Sequence, residues 1–366
     1  MVDMNKNKDS MPASYNTLSG TELDRRIGKA RARLGNSLLI LGHHYMTNEV
    51  IAHADRRGDS FALARMAART EADNIVFCGV HFMAETADIV TETHQRVFIP
   101  DPGAGCFLAD CARISDVERA WRQLQAQSSE RIIPVTYVNS GVDMKAFCGR
   151  NGGLVCTSSN AQAALNWAFE QGQKVFFFPD QHLGRNTAYA MGIPREEMIV
   201  WNPNEDWGGN TAAAIQPVKV ILWQGYCDVH QEFTPSDIRK LRQKDSDIRI
   251  LVHPECSFEV AQMSDSMGST AHIIRTIEEA PAGSHWAIGT EINLVNRLKE
   301  EHPDKHIEIL RVSEPYCRTM AQITRAKLAY QLEQLDSGNR VNRIMVPEEF
   351  REPARVALDR MLELVL

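Results

Sequence analysis

The fold is indicated by the stretch VKVILWQGYC at residues 218–227, in which an apolar run ends in a short turn and a cysteine. The same layout recurs at residues 97–106 and at residues 307–317. Each copy closes a unit of similar layout. Three copies that each deliver one thiol from the same structural place indicate three thiolates that meet at a common centre.

Working outward, short apolar runs alternate with helical stretches in all three units. Such alternation is typical of parallel α/β units, whose functional residues collect at the carboxyl ends of the strands. We therefore predict an α/β fold of three similar αβα domains with small parallel sheets around a pseudo-threefold axis, with the active site in the central cleft. The predicted domains are residues 1–112, with an N-terminal tail and helix, residues 113–230, and residues 231–366, with a C-terminal helix.

The bulk properties narrow the class of protein. A chain of 366 residues is longer than a single hydrophobic core usually accommodates, so we expect two or three domains. The net charge is −7 and no basic patch stands out, so we expect no nucleic acid partner. No apolar run is long enough to span a membrane, and the polar first 19 residues lack a signal-like segment and predict a loosely held tail. We expect a cytoplasmic location.

The eight cysteines do not suggest a disulfide framework, because no secretion signal accompanies them. Three widely spaced thiolates with one open position suit either zinc or a [4Fe–4S] cluster, while the lack of a C-x₂-C pair disfavours a zinc finger. We predict that Cys106, Cys227 and Cys317 are the metal ligands and that Cys111 could be a fourth ligand. We predict that Cys256 lines the site without binding metal. The others are predicted to be small core residues: Cys78, Cys148 and Cys156.

Polar residues open one helix in each unit, at Ser60, at Ser158 and at Ser269 with Thr270. Such residues cap helix N-termini, which would explain each one singly. A helix N-terminus also binds anions through its free N–H groups and dipole. Because the three positions are equivalent, we favour a site for carboxylates or a phosphate. No phosphate-loop fingerprint is present, so no nucleotide cofactor is indicated.

Candidate acid–base groups follow the opening strand of each unit. Glu255, between a proline and a cysteine, is the best candidate for a general base, and burial beside an iron cluster would tune its pKa toward neutrality. His253 could donate to a substrate oxygen, and the tyrosines could donate protons or orient the substrate. The full set is His43, Tyr45, Tyr137, Asn139, His253 and Glu255.

Motifs in order along residues 38–322 resemble those of the quinolinate synthases. They include GHHY at 42–45, GDS at 58–60, FMAET at 82–86, YVNS at 137–140, TSSN at 157–160, PDQHLGR at 179–185, WQGYCDVH at 223–230, VHPE at 252–255, GST at 268–270 and CRTM at 317–320. The resemblance implies three αβα domains around a pseudo-threefold axis, in agreement with the repeat.

The resemblance also implies a reaction and its site. Members of the family condense iminoaspartate with dihydroxyacetone phosphate to give quinolinate, phosphate and two waters, and carry a [4Fe–4S] cluster. By motif match, Cys106, Cys227 and Cys317 hold the cluster, which acts as a Lewis acid in dehydration, and Tyr45 handles a proton. Substrate contacts carry over to His43, Ser60, Tyr137, Asn139, Ser158, His253, Glu255, Ser269 and Thr270. We also expect a transient contact with an L-aspartate oxidase, because the imine hydrolyses readily.

Two other functions fit the residues. A zinc enzyme of the aldolase or hydratase type could use the same three thiolates, and metal analysis separates it from a cluster enzyme. A non-catalytic iron–sulfur sensor or scaffold is the other, but substrate-type motifs in all three units argue against it.

Overall fold

The computed structural model describes residues 11–364; residues 1–10 and 365–366 lie outside the described part. The strands in the described part are β1 Leu38–His43, β2 Arg56–Gly58, β3 Asn74–Cys78, β4 Arg96–Phe98, β5 Ile132–Tyr137, β6 Leu154–Cys156, β7 Lys174–Phe178, β8 Met198–Trp201, β9 Val220–Trp223, β10 Arg249–Val252, β11 Ser266–Met267, β12 His285–Gly289, β13 His306–Ile309 and β14 Arg343–Ile344.

The α-helices of residues 11–364 alternate with these strands. They are α1 Gly20–Leu34, α2 Asn48–Ile51, α3 Ser60–Arg69, α4 His81–Val90, α5 Phe107–Asp110, α6 Ile114–Gln127, α7 Val142–Arg150, α8 Ala161–Gln171, α9 Gln181–Ala190, α10 Ala212–Ile215, α11 Pro235–Lys244, α12 Phe258–Met263, α13 Thr270–Glu279, α14 Ile292–Glu301, α15 Arg325–Asp336 and α16 Glu348–Glu363.

Three sheets share one strand order. The order is β2-β1-β3-β4 in the first sheet, β6-β5-β7-β9 in the second and β11-β10-β12-β13 in the third. Every pairing within these sets is parallel. Two sheets have a fifth strand, β14 antiparallel to β4 and β8 parallel to β9. The predicted α/β class with three small, mainly parallel sheets is confirmed.

The central strands are apolar because helices cover parallel sheets on both faces. All five residues of β7 (KVFFF) are buried, and so are all six of β5. The rings of Phe176 and Trp223 lie 6.1 Å apart between centroids on the adjacent strands β7 and β9. The continuous apolar runs of the sequence thus mark these strands.

Several boundaries agree with the sequence. Helix α1 spans the predicted Gly20–Leu34; Ser19 caps its first turn by accepting from the Glu22 N–H, and Gly35 follows it at a φ of 53°. The predicted C-terminal helix is α16, which ends at Glu363. The short strands β2, β8, β11 and β14 were not predicted.

The prediction of a loose tail is wrong for residues 11–19, and its first ten residues lie outside the described part. A short 3-10 helix, Ala13–Thr17, precedes α1. The Tyr15 hydroxyl donates a hydrogen bond to Glu333, and its ring meets Tyr330 edge-on at 5.4 Å. This aromatic anchor on α15 orders the segment.

Contacts divide the chain into two compact units. Unit 1 runs up to Gly105 and includes Arg318–Met345, and unit 2 comprises Cys106–Cys317 and continues from Val346. Unit 1 contains the first sheet; its β14 pairs with β4, and its α15 packs on α1. Unit 2 contains the second and third sheets, and its α16 packs on α7. Arg318–Met345 therefore belongs with the first sheet, although the sequence placed it in the third domain. The predicted boundaries at 112/113 and 230/231 and the pseudo-threefold axis stay predictions.

Across residues 11–364, none of the helices combines the length and the apolar character that a membrane crossing requires.

Candidate active site

A buried carboxylate, Glu255, is the centre of a polar group in unit 2. Its Oε2 lies 2.6 Å from Nδ1 of His230 and 3.5 Å from Nδ1 of His253, and Tyr137 hydrogen-bonds to the carboxyl group. The two imidazole rings stack at 4.5 Å, and His230 Nε2 lies 3.1 Å from the Thr290 hydroxyl oxygen. Strand β10 ends at Val252, so its carboxyl end delivers His253 and Glu255 to this place, as predicted.

The electrostatics make Glu255 an anion beside a neutral imidazole. Burial opposes ionisation of Glu255, but His230, His253 and the Tyr137 hydrogen bond outweigh it and lower the pKa to about 2. The expected shift of the Glu255 pKa toward neutrality is therefore wrong, because the neighbouring histidines and the phenol stabilise the carboxylate. Burial is also the main reason that the pKa of His253 falls to about 3. At neutral pH the group therefore offers one proton acceptor, one neutral imidazole and one phenol.

The three predicted ligand cysteines come together in unit 2. Burial raises the pKa of the Cys106 thiol, and Cys317 and Glu255 raise it further. The pKa of Cys227 is raised by burial and then by Glu255, Cys106 and Cys317. Each thiol is thus close enough to the other two to interact electrostatically. Deprotonation of the three thiols beside a carboxylate would concentrate negative charge, which a bound metal centre would offset.

The donor set fits a metal centre in two ways. The three thiols suit a [4Fe–4S] cluster or a zinc ion. One of them also belongs to a mixed set, since ligand atoms of Cys227, His230 and Glu255 all lie within 4.8 Å of one another. Sulfur, nitrogen and oxygen donors together are typical of zinc. The geometry brings the predicted cysteines together without choosing between the metals.

Two helix N-termini open onto one cavity of about 680 Å³ in unit 2. Asn160 at the start of α8, Ser158 in the turn before it, and Ser269 at the start of α13 line it with Pro254. Helix N-termini favour anions, so this cavity suits carboxylate or phosphate groups.

The local capping differs from the prediction. Ser269 is an N-cap, since its Oγ accepts from the His272 N–H at 3.3 Å. Asn160 rather than Ser158 stands at the start of α8, and its Oδ1 accepts from the Thr157 N–H. Ser158 therefore lies in the preceding turn rather than at the cap position. In unit 1, Asp59 caps α3 and Ser60 is the first helical residue.

Three predicted site residues carry buried polar atoms that have no hydrogen-bond partner among the described residues. They are Asn139 Oδ1, Thr270 Oγ1 and Glu255 Oε1. A buried polar atom without a partner costs free energy, about 1–3 kcal/mol each. Each such atom needs an explanation, such as a water, an ion or a ligand that completes the hydrogen bonding.

The remaining predicted residues lie in unit 1. His43 is buried at the end of β1, and its ring meets Tyr45 edge-on at 4.9 Å. His43 Nδ1 accepts a hydrogen bond from the Tyr45 N–H at 3.1 Å. The association of His43, Tyr45 and Ser60 with the Glu255 group stays a prediction.

The other cysteines differ in burial. Cys78, Cys148 and Cys156 are fully buried, so their predicted core role is confirmed. Cys256 is also fully buried, packs in the apolar core of the third sheet, and its thiol lies 3.6 Å from the Gly289 carbonyl oxygen. Cys111 is partly exposed, with its thiol 3.4 Å from the Phe107 carbonyl oxygen. Its optional ligand role stays a prediction.

Sequence reasoning assigned no role to His230 and Asp180. His230 follows Cys227 by three residues and begins a short 3-10 helix, so it does not occupy a strand end. Asp180 is fully buried; burial and then the charge of Glu255 raise its pKa well above the usual range. Both residues lie in motifs that were recognised in the sequence. Their proximity to Glu255, which indicates a role, is visible only in the folded structure.

Comparisons with known proteins cover the whole described fold. A family model described as "Quinolinate synthetase A protein" matches residues 25–363. A quinolinate synthase of Rhodopirellula baltica is 52% identical over 361 residues, which span 95% of this chain and 92% of the relative. One of Geobacillus kaustophilus is 51% identical over 365 residues, covering 100% and 99%. One of Bacillus subtilis is 50% identical over 364 residues, covering 98% of each.

Proposed function

This chain belongs to the family of the quinolinate synthetase A protein, enzymes of NAD biosynthesis, and on that premise we propose that it condenses iminoaspartate with dihydroxyacetone phosphate. The products are quinolinate, phosphate and two waters. The observation that carries the proposal is the buried, ionised Glu255 next to three thiols. Condensation followed by dehydration needs a proton acceptor and help for a departing hydroxyl group at one place. Glu255 would be the acceptor, and a metal centre held by the three thiols would help the hydroxyl group to leave.

Cys106, Cys227 and Cys317 would hold a [4Fe–4S] cluster, in keeping with their mutual proximity. When bound through three thiolates, such a cluster supplies a Lewis acid that assists loss of hydroxide from carbon. The chain's own residues must then bind the substrates and move the protons.

Substrate binding rests on the anion-binding cavity. Iminoaspartate is a dicarboxylate and dihydroxyacetone phosphate is a phosphate ester, and the N-termini of α8 and α13 suit both kinds of anion. Ser158 and Ser269, which line the cavity, would donate or accept hydrogen bonds there. Asn139 and Thr270 would also contact substrate, and the partnerless Asn139 Oδ1 and Thr270 Oγ1 support this role. His43 and Ser60 of unit 1 would add further contacts. Orientation of two bound reactants can supply several kcal/mol.

Proton movement rests on Glu255 and its neighbours. Glu255 would take a proton from the carbon next to the departing hydroxyl group, and its partnerless Oε1 is available for that contact. Neutral His253 would donate a hydrogen bond to a substrate oxygen, because its ring keeps one N–H. Tyr137 would orient the carboxylate, and Tyr45 would handle a second proton.

The experiment that tests the function measures quinolinate formation by protein purified without oxygen, with iminoaspartate generated in the assay. We expect turnover by the wild type, about four irons per chain, and a loss of iron in Cys106→Ser, Cys227→Ser and Cys317→Ser but not in the matched Cys78→Ser. Glu255→Gln should keep its iron and lose about 10²- to 10⁴-fold in kcat, the usual range for a missing general base. The exposed Glu278→Gln serves as its control.

Near-normal turnover by iron-loaded Glu255→Gln would remove Glu255 as the base. A wild type that makes no quinolinate under these conditions would overturn the proposed function.

A second candidate is a zinc enzyme of the aldolase or hydratase type, favoured by the mixed set of Cys227, His230 and Glu255. One zinc per chain without sulfide, lost in Cys227→Ser and kept in Cys106→Ser, would support it. Iron with an equal amount of inorganic sulfide would exclude it.

We also propose a transient contact with an L-aspartate oxidase. The short life of the imine in water supports direct transfer. Competition by an added imine-trapping amine tests it: quinolinate yield from the coupled enzymes should resist the trap more than the yield from preformed imine.

A further inference from the structure

We infer that Asn186 and Gln231 are positioning residues that hold Glu255 in its working place; we call the pair the amide clamp. The inference rests on the proposed role of Glu255 as the base. Asn186 Nδ2 donates to the carbonyl oxygens of Pro254 and Cys256, both at 2.9 Å. Gln231 Nε2 donates to the carbonyl oxygen of Glu255 itself at 2.7 Å. Three consecutive carbonyl groups are thus held by two side-chain amides.

The segment needs such support because it is irregular. Strand β10 ends at Val252 and α12 begins at Phe258, so residues 254–256 belong to neither ladder nor helix. Pro254, Glu255 and Cys256 are all buried, and buried carbonyl groups require partners. Side chains from elsewhere in the chain supply those partners, and they thereby fix the backbone from which the Glu255 carboxylate extends.

Both residues of the amide clamp are themselves held in place by the elements that carry them. Asn186 is fully buried on α9, whose first turn is capped by Asp180 through a hydrogen bond from the Leu183 N–H at 2.7 Å. The backbone N–H of Gln231 donates to the Cys227 carbonyl oxygen at 3.1 Å. Gln231 therefore connects the backbone of a proposed cluster ligand to the backbone of the proposed base.

A purely structural amide of the same type exists in unit 1. Gln95 is buried, and its Nε2 donates to the carbonyl oxygens of Thr70 and Ala72, both at 2.8 Å. These bonds tie together loops around the first sheet and contact none of the proposed site residues. Gln95 is therefore a matched control, since the same substitution removes the same number of amide–carbonyl bonds or more.

The test compares Asn186→Leu, Gln231→Met and Gln95→Met. Each change removes the N–H donors; Gln231→Met and Gln95→Met nearly conserve side-chain volume, and Asn186→Leu keeps the branching of the side chain. We expect kcat for quinolinate formation to fall about 10- to 100-fold in the two clamp variants, because small misplacements of a reacting group have effects of this size. KM for dihydroxyacetone phosphate should change less than about threefold and iron content should stay at the wild-type level. Gln95→Met should lower the unfolding midpoint and keep kcat within about twofold, as a structural amide would.

The clamp is refuted if both variants keep kcat within about twofold at full iron content, or if their loss of kcat merely follows a loss of iron. Should Asn186→Leu fail to fold, the partly exposed Gln231→Met decides alone.

If the wild type makes no quinolinate, the proposed function fails independently of the clamp. Crystal structures of the variants then decide: a Glu255 carboxylate displaced from His230 supports the clamp, and one that keeps its hydrogen-bond distance overturns it.

Discussion

The pKa values of two histidines that lie beside carboxylates, His253 and His285, shift in opposite directions. His253 is buried against Glu255, and burial lowers its pKa to about 3. His285 is only partly buried at the start of β12, with Nδ1 2.6 Å from Asp245 and Nε2 2.8 Å from Glu308. Partial burial opposes its charge, but the two carboxylates outweigh it and raise the pKa of His285. The degree of desolvation decides the sign of the shift.

This contrast gives a pH-dependent prediction for His285→Gln. A raised folded pKa stabilises the protein below the unfolded value of about 6.5, and the contribution disappears as pH rises through the folded pKa. We expect the variant to lower the free energy of unfolding by up to about 1 kcal/mol at pH 6 and to have almost no effect at pH 9. Urea unfolding at the two pH values measures this. The exposed His94→Gln is the control, and an equal loss at both pH values would contradict the ion-pair explanation.

Some residues of the candidate site could be predicted from the sequence, and others could not. Glu255, His253 and the three ligand cysteines were recognisable because they follow strands in repeated units. His230, Asn186 and Gln231 were not, because their roles depend on contacts with distant backbone groups that no spacing in the chain reveals. The prediction that Ser158 starts a helix was wrong, because Asn160, two residues later, is the N-cap of α8.

At the scale of elements, α16 packs closely on α7 at a glycine. A Cβ atom on Gly149 would lie 1.8 Å from the carbonyl oxygen of Pro353, a backbone atom that cannot move aside locally. A Cβ atom on Gly28 in α1 would have no such neighbour within 4 Å. The glycine at 149 therefore permits a close helix contact, whereas the one at 28 faces open space.

We accordingly predict opposite effects for the same substitution. Gly149→Ala should lower the free energy of unfolding by at least about 2 kcal/mol, as overpacking does. Gly28→Ala should leave it unchanged or raise it by up to about 1 kcal/mol through helix propensity. Chemical unfolding of the two variants checks this, and a neutral Gly149→Ala would mean that α16 can shift without loss.

Elements differed in how well the sequence predicted them. Strands such as β7, with five buried residues, and α1, with a capping serine and a closing glycine, have strong local signals. The short strands β2, β11 and β14, of two or three residues, lack any such signal. Pairing with a longer neighbour defines them, and pairing is a property of the folded chain.

At the scale of the whole molecule, the chain changes unit at two of the proposed ligands. Cys106 is the first residue of unit 2, and Cys317 is the last before the chain enters unit 1 again. Val312 and Tyr316 close to the second crossing are exposed, at 98% and 51%. A metal centre on these cysteines would restrain both crossing segments at once.

Metal removal should therefore loosen those segments selectively. In hydrogen–deuterium exchange we expect residues 105–111 and 311–319 to exchange at least about tenfold faster in the metal-free protein than in the loaded one. The buried strands β5 and β7 should exchange alike in both states. A uniform increase would instead mean that the metal stabilises the fold globally.

The return of Arg318–Met345 to unit 1 has a consequence for synthesis. Strand β14, which covers the edge of β4, and α15, which packs on α1, leave the ribosome only after residues 106–317 have been made. The nascent first sheet therefore keeps one strand edge and one helix face uncovered while residues 106–317 of unit 2 are made. Exposed strand edges and apolar faces attract other chains, so this interval is the time at which the newborn protein most needs a chaperone.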